Sequence, residues 1–300
     1  AAAQDSRLRY SRANESEADR IGLKTLVAAK RDPHAAADMH ERMLAAHRLY
    51  STNRLPEFLR THPLSEKRVA DMRNRARSER RVIRPKSFDF ELMQARVRHQ
   101  LAQSTLDAVN LFREQTTKGG TEAAAGWYGL ALAYIDAGEP IKARGALEQA
   151  MRPDPNHLAF ILVDSKIDSA MGRHRTALKR LKERLSLSPG NHPLTIAYAD
   201  ALWKAGLPHI AAQVLREHSK KKPDDPGVWY RLAEVQGLAG DIIGLHQSRA
   251  EYFILVGALD SAQSQLNYAL KLVNNNFTQS ATINERLRDV MDIRDALENS

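Results

Sequence analysis

Glycines stand at Gly138, Gly172, Gly206 and Gly240, each 34 residues after the last. A fixed period of this length means that one structural unit is repeated along the chain. Prolines keep the same register at Pro155, Pro189 and Pro223, and small residues do so at Ala143, Ala177 and Ala211. Glycine ends a helix where the backbone must take a positive φ, and proline cannot continue one. Each repeat therefore reads as helix, glycine turn, helix, proline-containing turn, with the alanine where the two helices of a hairpin come closest.

In the first clear repeat Trp127, Leu130, Ala131 and Tyr134 fall at helical spacing, and Leu147 and Ala150 follow Ala143 on the second helix. This pattern resembles the tetratricopeptide repeat, which implies an all-α solenoid that binds protein partners. Repeats are expected over 124–157, 158–191, 192–225 and from 226, the third having Thr195 in place of the large aromatic. Past Gly240 the spacing contracts. Gly257, Ala262 and Ala269 return the turn pattern 17 residues on, so Ile242–Val256 is expected to serve two successive hairpins. Leu92, Ala95, His99 and Ala108 mark a degenerate repeat at 88–122, and a helix at Thr282–Leu297 after the Asn274-Asn275-Asn276 break would cap the array.

Charge divides the chain. Residues 1–86 hold 20 Lys/Arg against 11 Asp/Glu, whereas residues 87–300 hold 25 of each. This contrast predicts two domains, 1–86 and 87–300, joined at Arg84-Pro85-Lys86. The arginine run from Lys67 to Arg84 contains no aromatic residue to stack on a base, so no nucleic acid is expected as partner. It reads as a solvated face, or as a surface toward an acidic partner or anionic lipid headgroups. No apolar run nears 18 residues, Ala1–Arg12 lacks the apolar core of a signal peptide, and without cysteine there are no disulfides.

In the first domain Ser11 is a candidate cap for a helix running to about Arg31, with Asp32-Pro33 opening the next. At 100° per residue, Gly22 and Leu26 fall within about 20° of Glu15, Asp19 and Ala29 at about 40°, and Glu17 on the opposite side. Glu15 is thus predicted to point inward, and Glu17 and Lys24 outward. A carboxylate inside an apolar stripe needs an ion pair or a metal in front of it, and both readings stand on this ground.

Asn14-Glu15-Ser16-Glu17-Ala18-Asp19-Arg20-Ile21-Gly22 resembles the third-ligand helix of the HtpX-like, CAAX-protease-related zinc metallopeptidases, and Thr61-His62-Pro63-Leu64-Ser65-Glu66-Lys67-Arg68 the His-Pro loop of one branch. The resemblance implies one Zn2+ per parent protein with Glu15 as a ligand, Asp19 as the carboxylate that orients a ligand histidine, and Arg68 as the basic residue after the loop, a partner for Glu15, Asp19 or an oxyanion. His62 is either the loop residue before a helix start or a group facing the zinc at its fourth position. The HExxH helix of the family is absent: Leu44 stands where His40-Glu41 would need the second histidine, and His47 is seven residues from His40. Two imidazoles must lie at i and i+4 to share one metal. His40 and His47 therefore read as ordinary surface or packing histidines. The chain reads as the C-terminal part of a periplasmic zinc metalloendopeptidase, inactive by itself and without bound zinc, whose HExxH lies upstream. The implied partners are the outer-membrane barrel-assembly machinery and unfolded or stalled outer-membrane proteins, with peripheral membrane contact. The alternative is a non-enzymatic scaffold of repeats that binds extended peptides.

Overall fold

The computed structural model describes residues 2–49, 65–82, 87–274 and 276–298, and these residues form fifteen helices and no strand. The chain divides into two compact units, Ala1–Lys86 and Ser87–Ser300.

In the first unit α1 (Ala2–Ala28), α2 (His34–Leu49) and α3 (Glu66–Ala76) surround a small core of Leu23, Ala37, Met72 and Ala76. Ser11 does not cap α1. The helix runs through it, because the preceding residues Ala2, Ala3, Gln4, Arg7 and Leu8 are good helix formers. Its C-terminus comes at Ala28, not Arg31, and is closed by Lys30 at φ 53, with Lys30 N–H donating to Val27 O at 2.9 Å and Arg31 N–H to Leu26 O at 2.8 Å. Asp32 opens α2 as expected, its Oδ1 accepting from His34 N–H at 3.1 Å.

The second unit is a stack of helices α4 (Phe88–Leu101), α5 (Thr105–Thr116), α6 (Gly120–Asp136), α7 (Pro140–Ala150), α8 (Leu158–Ala170), α9 (His174–Leu187), α10 (His192–Lys204), α11 (Pro208–Lys221), α12 (Pro226–Leu238), α13 (Ile242–Leu255), α14 (Leu259–Leu272) and α15 (Phe277–Glu298). The turns at Gly138, Gly172, Gly206 and Gly240 are copies of one another. Their φ values are 70°, 74°, 78° and 77°. In each the residue after the glycine donates to the carbonyl five back, as Glu139 does to Tyr134 at 2.8 Å and Leu207 to Leu202 at 2.9 Å. This is the Schellman arrangement, which satisfies the orphan carbonyls of the ending helix. Ala143, Ala177 and Ala211 are fully buried at the hairpin contacts.

The contracted spacing has the structure expected of it. Gly257 makes a fifth such turn at φ 76, and α13 lies against both α12 and α14. Upstream the degenerate repeat differs, since α4 lies chiefly against α6 and α5 also against α6, while α4 and α5 hardly touch. Their connection passes through Ala102 at φ −63, ψ 137, with no left-handed glycine to fold one helix back on the other. The last helix begins at Phe277, five residues before Thr282, because Asn276 Oδ1 accepts from Gln279 N–H at 3.0 Å and supplies the cap. Its Ile283, Leu287 and Val290 cover Leu266 and Ala269 of α14.

The core runs as a chain of local clusters, each repeat burying its apolar face on the next. Buried charges lie among them, Asp168 the deepest. Asp168 of α8 is only 2% exposed and accepts from Arg144, Arg173 and Arg180, with Arg173 Nη2 at 2.7 Å. Burial alone would raise its carboxyl pKa, but the guanidiniums of Arg180 and Arg173 outweigh that and hold it below the usual carboxylate range. Among the described residues no helix is long and apolar enough to cross a membrane.

Two helical glycines make opposite predictions. A Cβ at Gly126 of α6 would lie 2.9 Å from backbone atoms of Gln115 and Thr116 in α5, whereas one at Gly145 of α7 would meet nothing within 4 Å. Gly145→Ala is therefore expected to raise stability by up to about 1 kcal/mol, the helix-propensity gain. Gly126→Ala is expected to lower it by about 1–3 kcal/mol, because a backbone cannot give way as a side chain can. Denaturant unfolding of the two variants decides this, and equal gains would mean that α5 and α6 leave room for a Cβ at Gly126, contrary to the close approach.

Candidate functional site

Arg68 is the residue on which the candidate site converges. It lies in the first turn of α3, where Ser65 caps the helix by accepting from Arg68 N–H at 3.3 Å. From there the guanidinium meets α1 at two carboxylates one helical turn apart. Nε and Nη2 donate to Oδ2 and Oδ1 of Asp19 at 2.8 and 2.9 Å, and Nη2 lies 3.1 Å from Glu15 Oε2. The three side chains are only 15%, 13% and 17% exposed. The hydrogen bond to Asp19 leads the interactions that raise the Arg68 pKa, burial opposing them, so the cation is locked in place.

Glu15 does face inward and Glu17 outward, the latter paired with Arg20 on the surface and 52% exposed. The buried stripe is rotated from the predicted one, however. Leu23 is buried while Gly22 and Ala18 are exposed, so the stripe centres nearer Asp19 than Glu15. Leu23 lies about 80° from Glu15 at 100° per residue, and its large side chain outweighs the glycine and alanine.

His40 was expected to be an ordinary surface or packing histidine. It is not on the surface: it is buried on α2 with Nε2 3.8 Å from Asp19 Oδ1, and its Nδ1 has no hydrogen-bond partner among the described residues. Burial, with Arg68 adding to it and Asp19 opposing, holds its pKa below the ordinary histidine value and favours neutral imidazole. The signal that marks it is positional, since Pro33, Ala37 and His40 are spaced by four and three and all buried on α2's side. His62 lies outside the described residues, as does the side chain of His47.

Around this group the basic run is paired locally. Arg73 meets Glu41, Arg75 Nε lies 2.8 Å from Asp71, and Arg81 Nε lies 3.7 Å from Asp32, all of them solvent-facing pairs that contribute little to stability.

A catalytic zinc needs three protein ligands. Among the described residues no group of three or more His, Asp or Glu side chains is placed to hold a metal ion. Glu15 offers one carboxylate, already engaged with Arg68, so the described residues do not by themselves constitute a metal centre.

Two families match this chain, Peptidase family M48 over residues 1–76 and the tetratricopeptide repeat over residues 193–235. The chain is an M48 peptidase segment followed by tetratricopeptide repeats. M48 peptidases are zinc metallopeptidases. The beta-barrel assembly-enhancing protease of Escherichia coli (strain K12) is 32% identical over 294 residues, 95% of this chain and 58% of that protein. That of Yersinia pestis is 27% identical, over 96% of this chain and 59% of its own. A solved tetratricopeptide repeat protein from Parabacteroides merdae ATCC 43184 is 15% identical, covering 93% of this chain and 99% of its own with a TM-score of 0.43. The chain thus spans somewhat over half the length of the curated relatives it matches.

Removing the guanidinium should take from Asp19 and Glu15 the cation they share. Arg68→Leu is expected to destabilise the first unit by about 3 kcal/mol, whereas Arg20→Leu at the exposed pair should change its stability little. Hydrogen exchange of α1 and α3 amides in the full chain reads both. Comparable protection in the two variants would remove Arg68 from its assigned role.

Proposed function

We propose that this chain is the C-terminal portion of a periplasmic zinc metalloendopeptidase and chaperone that acts in outer-membrane β-barrel protein assembly and quality control. The observation that carries this reading is the 32% identity with a beta-barrel assembly-enhancing protease over 95% of this chain, a share that takes in parts of both units. In the whole protein Glu15 is a zinc ligand, and zinc supplies a Lewis acid at the scissile bond when bound. Asp19 and Arg68 act on position: the guanidinium holds both carboxylates on one face of α1, and Asp19 faces the His40 imidazole. His62 would be a further group toward the zinc, as the loop resemblance implies. The repeats engage the barrel-assembly machinery and unfolded or stalled outer-membrane proteins.

A second reading is a scaffold of repeats without chemistry that binds extended peptides, supported by the tetratricopeptide match over residues 193–235. The two are separated on the full-length protein. Glu15→Gln keeps the shape of the side chain while removing its charge, so zinc content by elemental analysis and proteolysis of casein should both collapse. Glu17→Gln, at the exposed pair, should change neither. His62→Ala should retain zinc and raise turnover or self-cleavage. Equal loss in the two glutamate variants would overturn the site, and unchanged zinc and activity in both would favour the scaffold.

A further inference from the structure

Two histidines meet where the third repeat hands over to the fourth. His192 opens α10, His218 lies in the last turn of α11, and His192 Nδ1 stands 3.0 Å from His218 Nε2. His218 is only 3% exposed, whereas the His192 side chain is 37% exposed. The other nitrogen of His192, Nε2, lies 3.8 Å from Asp225 Oδ2. Asp225 in turn caps α12, its Oδ1 accepting from Gly227 and Val228 N–H at 2.9 and 3.3 Å. A line of carboxylate, imidazole and imidazole therefore ties the start of α10 to the end of α11 and to the start of α12.

The gap between the two rings holds one proton. In the neutral pair one facing nitrogen donates and the other accepts. One added proton is accommodated, since His192 can then donate through Nδ1 to His218 while presenting Nε2–H to Asp225. A second is not: with both rings charged, two N–H groups point at each other across 3.0 Å and a cation is left buried. The surroundings press the same way. Burial leads in holding the His218 pKa below the ordinary histidine value, His192 of α10 and the neighbouring Lys221 and Lys222 add to it, and Asp225 at the start of α12 opposes. His218 thus binds fewer protons in the folded chain than in the unfolded one, where its pKa is about 6.5. The contact contributes stability above that pH and loses it as the pH falls through the lowered folded value.

We propose that the His192–His218 pair is an acid-sensitive latch, which closes the third repeat onto the fourth at neutral pH and opens when both rings become charged. Opening frees the first turn of α10 and the connection from Lys222 to Asp225, which Trp229 otherwise holds by donating from Nε1 to Pro223 O at 2.7 Å. The effect reaches a groove of about 410 Å³ lined by the first helices of successive hairpins, α4, α6, α8, α10 and α12, because His192 and Asp225 both belong to its wall. The same wall holds Lys166 and the Asp200–Arg231 pair at 3.0 Å. Acid therefore reshapes one face of the stack at a single joint, while the glycine turns, which carry no titratable group, stay closed.

The test is amide hydrogen exchange of the whole chain at about pH 7.5 and about pH 5, each corrected for intrinsic rates. The N–H groups of Thr195, Lys222 and Gly227 donate to Asn191 O, His218 O and Asp225 Oδ1 beside the pair. Their protection should fall about tenfold in acid, the weight of one linked proton over a pH unit. Ala143 N–H, bonded to Glu139 O in the first hairpin, should hold. His218→Gln keeps a polar side chain that does not titrate and should abolish the fall, whereas His209→Gln, exposed on the same helix, should retain it. Where His218→Gln weakens the fold, ring titration by NMR decides instead: the His218 ring should charge about one pH unit higher in His192→Gln than in the parent. Equal protection of the parent at the two pH values would overturn the inference. So would a fall that survives His218→Gln, or a His218 ring that charges at the same pH in the parent and in His192→Gln.

Discussion

The sign of one backbone angle governs the second unit. At the end of each first helix the chain enters the left-handed region, where L side chains are strained and glycine is not. Gly138, Gly172, Gly206, Gly240 and Gly257 all take φ near 75°. Each thereby completes the same pair of hydrogen bonds back into its helix, so successive hairpins close alike. Identical closure brings Ala143, Ala177 and Ala211 to equivalent buried contacts and ranks the first helices along one face, where the groove forms. The counterexample is internal: between α4 and α5 there is no left-handed glycine, and those helices do not fold back on each other.

The first unit depends on charge instead of backbone geometry. Among the described residues its core cluster is small, Leu23, Ala37, Met72 and Ala76, and the Arg68 contact to Asp19 and Glu15 adds a directional tie between α3 and α1. Bidentate guanidinium–carboxylate geometry fixes direction as well as distance. The same contact sets the electrostatics around His40, whose neutral ring is favoured by burial and by the neighbouring guanidinium. α1 itself ends on a left-handed lysine, Lys30, at a position where glycine would be unstrained.

What could be read from the sequence follows from which forces are local. The glycine, proline and alanine register is backbone chemistry, so it located the hairpins and the doubled use of Ile242–Val256 correctly. The inward Glu15 and outward Glu17 follow from helical pitch alone. Two features escaped because they depend on tertiary competition, and a third because local signals were misread. Leu23 rotated the buried stripe toward Asp19, and the burial of His40 beside Asp19 needs α1 and α2 placed together. The starts of α1 and α15 were read from Ser11 and Thr282, whereas continuing helix propensity and the Asn276 cap moved both earlier. The pairing of Arg68 lay between these cases: the sequence offered Glu15, Asp19 or an oxyanion as its partner, and the fold brings it to both carboxylates.

The most direct measurement is the unfolding free energy of Gly172→Ala. A Cβ there would meet nothing within 4 Å, so no clash contributes, while φ is 74°. If the left-handed turn is what closes the hairpins, this single methyl should destabilise the second unit by about 1–2 kcal/mol, with Gly172→Asn losing less. An unchanged unfolding midpoint in Gly172→Ala would contradict the account, because the turn would then impose no requirement that glycine alone meets.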